Sequence, residues 1–275
     1  MRGIGFRATT GDWHLVVNSD VILNSDYVRH LLDVCATDAK VSSASGKLLR
    51  FSRTGDDDII DSTGIEIYQS RFVWDRGTRE PDRGQFEQVE QVFGCCGAAA
   101  LYRRAALSHV APDGGIFPEI YFAYYEDVDL AWRLNLAGWR CLYVPQAVAR
   151  HARGGSTRGS ATTRRWVFRN RYVLLARNDR LSEMIRAPRP ILSFEGIQLL
   201  RLIRYPGLIL RVPGIIWSVV RAFAQRRAMK QSGRRDFGLS KVPDMVSPGS
   251  GVHVWLRHSR QQCPRVANLH QSFKP

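Results

Sequence analysis

The chain has 275 residues, few cysteines and no long apolar run, and these shortages exclude whole classes of protein. Its five cysteines, Cys35, Cys95, Cys96, Cys141 and Cys263, are odd in number and form no CxxC pair. That argues against a disulfide framework and against a zinc site, and it fits a reducing, cytoplasmic setting. No uninterrupted apolar stretch approaches the ~20 residues of a spanning helix, so an integral membrane protein is not expected. Residues 1–13 hold no apolar run of signal-peptide length, so neither secretion nor an N-terminal anchor is expected. Acids are scarce in one half only. Residues 1–150 carry 16 Lys and Arg against 20 Asp and Glu, whereas residues 151–275 carry 24 against 5. A basic half serves either nucleic acid or an anionic membrane surface. Its arginines alternate with large aliphatic residues rather than with stacking aromatics, and no recognition-helix or zinc-finger spacing appears, which favours the membrane surface over nucleic acid.

What is present reads as α/β. The apolar run Trp13–Val17 stops at Asn18-Ser19-Asp20, and Val28, Leu31, Leu32 and Cys35 follow at helical spacing, with Asn24 or Ser25 as the expected cap. Strand, acidic turn and helix in that order suit an open sheet, whose ligands sit beyond the carboxyl ends of the strands. Residues 41–110 alternate short β-prone runs with turns. Val92–Tyr102 is a strand or strand-turn rich in small residues, where a ligand or another backbone comes close. A second helix pattern runs from Glu126 to a C′ glycine at Gly138. The strand from Trp139 is expected to end at Pro145, and His151 closes the unit. Residues 153–165 read as a mobile basic loop and Trp166–Asn178 as a basic amphipathic helix. Residues 191–231, broken by Pro206 and Pro213, read as amphipathic helices lying in a membrane interface, and the polar stretch 232–275 reads as disordered. The expected units are therefore a partial catalytic domain at 1–152, the loop and connecting helix at 153–190, interface helices at 191–231 and a tail.

Three groups carry chemistry. Asn18 and Asp20 stand two residues apart at a strand end, where both can face one cleft and offer oxygens to a divalent cation. The competing reading is a polar turn that caps the next helix. Glu126, Asp127 and Asp129 sit at a helix N-terminus, whose field favours ionised carboxylates, so one of them can take a proton from an attacking hydroxyl. The plainer reading is helix capping with an i, i+4 pair between Asp129 and Arg133. His151 is either an ordinary loop histidine or, with Asp20, part of a metal site.

Taken together, the series Gly11-Asp12-Trp13, Asn18-Ser19-Asp20-Val21, Asp61-Ser62-Thr63-Gly64, Phe93-Gly94 through Arg103, Tyr121 through Arg133, Ala137-Gly138-Trp139, Tyr143-Val144-Pro145 and His151 resembles family 2 glycosyltransferases of the rhamnosyltransferase-like group. The resemblance covers roughly residues 3–231. It implies a GT-A fold followed by C-terminal amphipathic helices, a nucleotide-diphosphate sugar donor, Mg²⁺ or Mn²⁺, and inversion at the anomeric carbon. Asp20 matches the family's metal-binding aspartate, with Asn18 in the first place of that motif, and His151 matches a histidine that joins the metal. Asp127 matches the catalytic base. Glu126 and Asp129 would be acceptor-side or supporting carboxylates that bind substrate together with Arg133, and Gly94, Cys95, Cys96 and Gly97 would line the sugar and acceptor pocket. A glycan or lipid-linked acceptor of bacterial cell-surface polysaccharide synthesis is implied, worked on from the cytoplasmic face of the membrane.

One departure is large. In the family, roughly eighty residues of opening strands and nucleoside contacts precede the Gly-Asp segment, so the fold is expected to lack its first strands and to expose a sheet edge. A start assigned too late is the favoured explanation over a true fragment. The alternative function is a catalytically inactive fragment that acts as a basic membrane- or partner-binding module.

Overall fold

A computed structural model describes residue 6 and residues 8–51, 58–152, 160–186, 188–231 and 238–262. Strands β1 (Trp13–Val17) and β2 (Val21–Leu23) flank the Asn18–Asp20 turn, and helix α1 (Tyr27–Ala36) follows. Asp26, not Asn24 or Ser25, stands at the N-cap, and no side chain bonds the free amides there. Then come β3 (Val41–Arg50), β4 (Ile60–Ser62), β5 (Ile65–Tyr68), β6 (Val73–Asp75), β7 (Glu90–Val92), β8 (Ala99–Arg103), α2 (Arg104–Val110), α3 (Glu126–Leu136) and β9 (Arg140–His151).

The main sheet runs β1-β8-β3-β9-β2, with β4 beside β3 and β7 beside β9. Only β3 and β9 are parallel neighbours in it; the other pairs are antiparallel. Residue alternation explains why β8 reads as a continuous apolar run. Ala99 and Leu101 pack on α1 with Tyr27, Leu31 and Cys35, while Ala100 and Tyr102 pack on the other face with Leu107 of α2 and Leu130 and Leu134 of α3. Both faces are covered, so neither needs polar residues. At its outer edge β1 leaves Leu15 and Val17 exposed.

β9 does not stop at Pro145 but continues to His151. Its register against β3 jumps from Gly46 opposite Val144 to Lys47 opposite Val148, so Pro145–Ala147 form a bulge, where a proline interrupts no ladder bond. Gly46 makes room for it: a Cβ there would lie 1.8 Å from the Ala147 carbonyl oxygen. This bulge is what carries the end of β9 to the Asn18–Asp20 turn.

The C-terminal half is helical: α4 (Ala161–Asn178), α5 (Leu181–Arg186), α6 (Pro188–Arg204) and α7 (Val212–Gln231), with a 3₁₀ stretch at Pro206–Arg211. Of the expected loop, residues 153–159 lie outside the described residues, and the helix already starts at Ala161, capped by Ser160 Oγ, which accepts from the Thr163 amide at 3.1 Å. Of the two prolines, Pro206 follows the break expected of it, with α6 ending at Arg204 and Tyr205 non-helical at φ −130° and ψ 74°, whereas Pro213 breaks nothing. Pro206 opens the 3₁₀ stretch and Pro213 falls in the first turn of α7, where a missing N–H goes unmissed. Pro206–Arg227 is thus one helical run of 22 residues, long and apolar enough by length and composition to cross a membrane, which the interrupted sequence pattern did not suggest.

The tail is not featureless either. Val246–Ser247 form β10, parallel to β5 in a small sheet β10-β5-β6, and Val252–Gln262 form α8. Val252, Val254 and Trp255 of α8 pack near Tyr68, Phe72 and Phe194. The rest of that stretch, 232–237 and 263–275, lies outside the described residues.

Candidate functional site

The last residue of β9 pairs with the first of β2, Val21 opposite His151, and the Ala152 amide donates to the Asp20 carbonyl at 2.8 Å. This register sets the His151 imidazole between two carboxylates. Its Nδ1 lies 2.8 Å from Oδ2 of Asp61, a wholly buried residue on β4, and its Nε2 lies 3.3 Å from Oδ2 of the partly exposed Asp20. Arg50, paired with His151 across β3 and β9, sends Nε to 3.6 Å from Asp61 Oδ1. With Nδ1 donating to Asp61, Nε2 presents its lone pair to the Asp20 carboxylate. In that tautomer Nε2 is the ring atom free to meet a metal, with its orientation set by the Asp61 contact.

Asn18 belongs to the same turn, and its amide donates to the Ala98 carbonyl at 2.8 Å. The preceding residue, Gly97, donates its amide to Oδ2 of Asp127 at 3.0 Å, and Oδ1 of Asp127 accepts from the Val128 amide at 2.9 Å. Two successive residues of one strand-turn therefore hold the Asn18–Asp20 turn and the Asp127 carboxylate. Gly97 has to be small, since a Cβ would meet Asp127 Oδ2 at 3.1 Å. Burial raises the pKa of Asp127 and the charge of Asp75 adds to the rise, while the Gly97 and Val128 amides oppose it. The result is a half-buried carboxylate more basic than an exposed one, with fixed orientation.

The other expected residues divide. Glu126 opens α3, half-buried beside Asp127. Gly94, Cys95 and Cys96 are buried rather than lining an open pocket: a Cβ on Gly94 would strike Ala131 at 2.5 Å, and Cys95 Sγ reaches Ser43 Oγ at 3.4 Å. Cys35, Cys95, Cys96 and Cys141 are all buried, and none of the four is in a disulfide. Asp129 and Arg133 are enclosed too. Asp129 accepts from Tyr121 Oη (3.0 Å), Arg133 Nε (2.8 Å), Arg177 Nε (3.1 Å) and Asn178 Nδ2 (2.8 Å), so it joins α3 to α4 from inside. The plainer i, i+4 reading describes their geometry, and their place is support behind the site, out of reach of a ligand.

Sequence reasoning assigned no role to Asp61 or to Asn170. Asp61 lay in a quoted motif, but its partner is 90 residues away. Asn170, wholly buried on α4, shares the two N–H bonds of Nδ2 among the carbonyls of Tyr121 (2.9 Å), Ala123 (2.7 Å) and Tyr124 (2.8 Å). Those carbonyls belong to a turn in which Phe122, Tyr124 and Tyr125 have φ of 62°, 67° and 73°. Left-handed backbone at three non-glycine residues is unfavourable and persists only when its surroundings over-determine it. Asn170 supplies that constraint, and the turn leads directly into Glu126 and Asp127 at the start of α3.

Among the described residues no group of three or more His, Cys, Asp or Glu could hold a metal ion alone. Asp20 Oδ2 and His151 Nε2, 3.3 Å apart, could hold a cation only together with oxygens from phosphate or water, as Mg²⁺ commonly does, and Asn18 stands in the same turn.

Comparison with known proteins bears on this geometry. The chain is 33% identical over 190 residues to the N-acetylglucosaminyl-diphospho-decaprenol L-rhamnosyltransferase of Mycobacterium tuberculosis, which covers 64% of this chain and 58% of that protein. It is 30% identical over 145 residues to an N-acetylglucosaminyltransferase of Bradyrhizobium diazoefficiens, covering 52% of this chain and 28% of that one. The chain thus spans less than two thirds of these relatives' length. Among solved structures it is similar to GalNAc-T7 with UDP, GalNAc and Mn²⁺ at a TM-score of 0.45 and 12% identity, covering 64% of this chain and 34% of that one. The mixed α/β sheet followed by helices is the architecture that the motif series implies. Residues 2–171 match the family described as glycosyltransferase like family 2, and with more than half of its length matched the chain belongs to that family.

Proposed function

We propose that the chain carries the metal and base side of an inverting glycosyl-transfer site that moves a sugar from a nucleotide-diphosphate donor to a glycan or lipid-linked acceptor. The observation that carries this reading is the pair Gly97–Ala98, which ties Asp127 and the Asn18–Asp20 turn to adjacent residues. Asp127 takes the proton from the acceptor hydroxyl. The acceptor oxygen then bonds to the anomeric carbon from the face opposite the leaving group, the bond to the diphosphate breaks, and the nucleoside diphosphate departs with the electron pair. Gly97 holds the base in line, and Asp61 and Arg50 fix the His151 ring. Asp20, His151 and Asn18 would hold Mg²⁺ or Mn²⁺, whose charge would stabilise the diphosphate as it leaves.

The relatives' names support transfer of a hexosyl or rhamnosyl unit, and the mycobacterial one names a lipid-linked acceptor. A peripheral position on the inner face of the plasma membrane, in the assembly of bacterial surface polysaccharide, follows from that reading. Leu199, Leu200 and Ile203 of α6 and Ile216, Trp217 and Val220 of α7 are exposed among arginines, as an anionic membrane surface would require. The decisive experiment is Asp127→Asn. The amide oxygen can keep the Gly97 contact but cannot accept the proton, so transfer should fall by about 10²–10⁴-fold. Binding of a nucleoside diphosphate with Mn²⁺ should stay intact. Transfer at the parent rate would remove Asp127 from the role.

A further inference from the structure

The glycosyl-transfer reading leaves the acceptor undefined, and a cluster beside the Asp127 turn speaks to it. Arg165 and Arg169 of α4 both lie over the ring of Trp166, their guanidinium carbons 5.5 and 5.3 Å from its centroid. Trp166 in turn stacks on Phe122 at 5.0 Å and 26°. Phe122 is 77% exposed and sits on the strained turn that delivers Asp127. Arg169 is anchored to that turn by its bond to the Ile120 carbonyl (2.6 Å) and to α7 by Ser218 Oγ (3.0 Å). Arg221 of α7 stands over Trp217 at 4.6 Å. Burial, followed by the charge of Arg165 and then that of Arg221, holds the pKa of Arg169 below the ordinary guanidinium value.

Like charges drawn together in this way favour an anion. Helices α6 and α7 supply few acids of their own: from Met184 to Gln231 the sequence has nine Lys and Arg and one acid, Glu195, and the turn beside the cluster adds Glu119, Glu126 and Asp127. Both Glu195 oxygens are engaged elsewhere, with Arg171 Nη2 at 2.6 Å and Tyr172 Oη at 2.8 Å. Guanidinium forks match phosphate oxygens, and each arginine here is further held against an aromatic face. Next to the cluster runs an exposed apolar row on α7, Ile216, Trp217, Val220 and Phe223. A contiguous apolar patch rimmed by charge marks a binding surface. Phosphate recognition and an apolar track meet within reach of the turn that carries the base.

We propose that Arg165, Arg169 and Arg221 bind the diphosphate of a lipid-linked acceptor whose apolar chain lies along α7. The site rests on the glycosyl-transfer reading for its purpose but not for its test. Calorimetric titration of the intact chain with farnesyl diphosphate should show binding, with inorganic pyrophosphate and farnesol each at least tenfold weaker. The double variant Arg165→Ala, Arg221→Ala, which spares the Ile120 and Ser218 anchors, should bind farnesyl diphosphate at least tenfold more weakly at an unchanged thermal midpoint. No binding, equal binding by the variant, or equal affinity for pyrophosphate alone would overturn the proposal. So would a variant that loses phosphatidylglycerol vesicles while keeping farnesyl diphosphate, because the occupant would then be the bilayer headgroups. Loss of sugar transfer as a function, with arginine-dependent farnesyl diphosphate binding intact, would sink the catalytic reading and leave the site standing.

Discussion

The two ends of the candidate site are held by different means. At the Asp20–His151 end, strand register does the positioning: β9 pairs with β2 and β3, and side chains meet in the series Arg50, Asp61, His151, Asp20. At the Asp127 end no strand is involved. A strained turn, three carbonyls gathered by Asn170 and one amide from Gly97 place the carboxylate. The first end is built to hold a charge steady in a rigid sheet; the second stores local strain next to the reacting group, where small changes in the supporting helix reach the base directly.

The comparison can be broken from either side. Asp61→Asn removes the buried charge behind the imidazole, and partners of that kind typically contribute 10–100-fold to metal affinity. A Mn²⁺ titration should show that loss, while the dependence of the remaining rate on Asp127 persists; unchanged Mn²⁺ affinity would mean that the ring is held by the sheet alone. Asn170→Ala acts on the other end. Leaving the turn carbonyls without their donor should lower stability by about 1–3 kcal/mol in denaturant unfolding, and should reduce kcat with little effect on Mn²⁺ affinity. A stability loss with kcat intact would make Asn170 structural only.

Two smaller effects sharpen the contrast. A carboxylate whose folded pKa is raised contributes stability that is present below its unfolded pKa and lost as pH rises through the folded value. Burial raises Asp127, so its ionised form destabilises the fold at neutral pH. Asp127→Asn keeps one acceptor oxygen and puts a non-accepting nitrogen at the other, so the sign to test is the pH trend: the difference in thermal midpoint should move in the variant's favour from acid to neutral pH, and a move the other way would contradict this. Smallest of all, Asp75→Asn removes a charge that raises the Asp127 pKa, so the acid limb of the transfer rate should move to lower pH. An upward move would exclude Asp75 as the cause.

How much of this was legible beforehand depended on distance along the chain. The β1–turn–α1 unit, the start of α3 at Glu126 and the left-handed Gly138 after it follow from short-range periodicity and the C′ glycine, while the N-cap of α1 did not. Asn18, Asp20, Asp127 and His151 were legible as a series because their types and order are distinctive. The bulge at Pro145–Ala147 was not, since a proline reads as a strand end until Gly46 on another strand is known to make room. Asp129 and Arg133 read as neighbours of the base and turned out to face inward, where α4 supplies Arg177 and Asn178. β10 escaped notice because a two-residue strand has no period and depends wholly on β5 for its pairing.

Sequence by itself determined the local elements, the basic and apolar character of the C-terminal helices and the chemistry on offer, because these rest on side-chain type and spacing over one or two turns. Tertiary structure decided which carboxylates stay partly exposed, Asp20 and Asp127, and which are enclosed, Asp61 and Asp129, the partner of His151, and the clamp that sustains left-handed backbone before Asp127. Those outcomes rest on hydrogen bonds between residues some 30 to 90 positions apart. Only the folded chain brings such groups within 3 Å, and only there does burial change how they hold a proton.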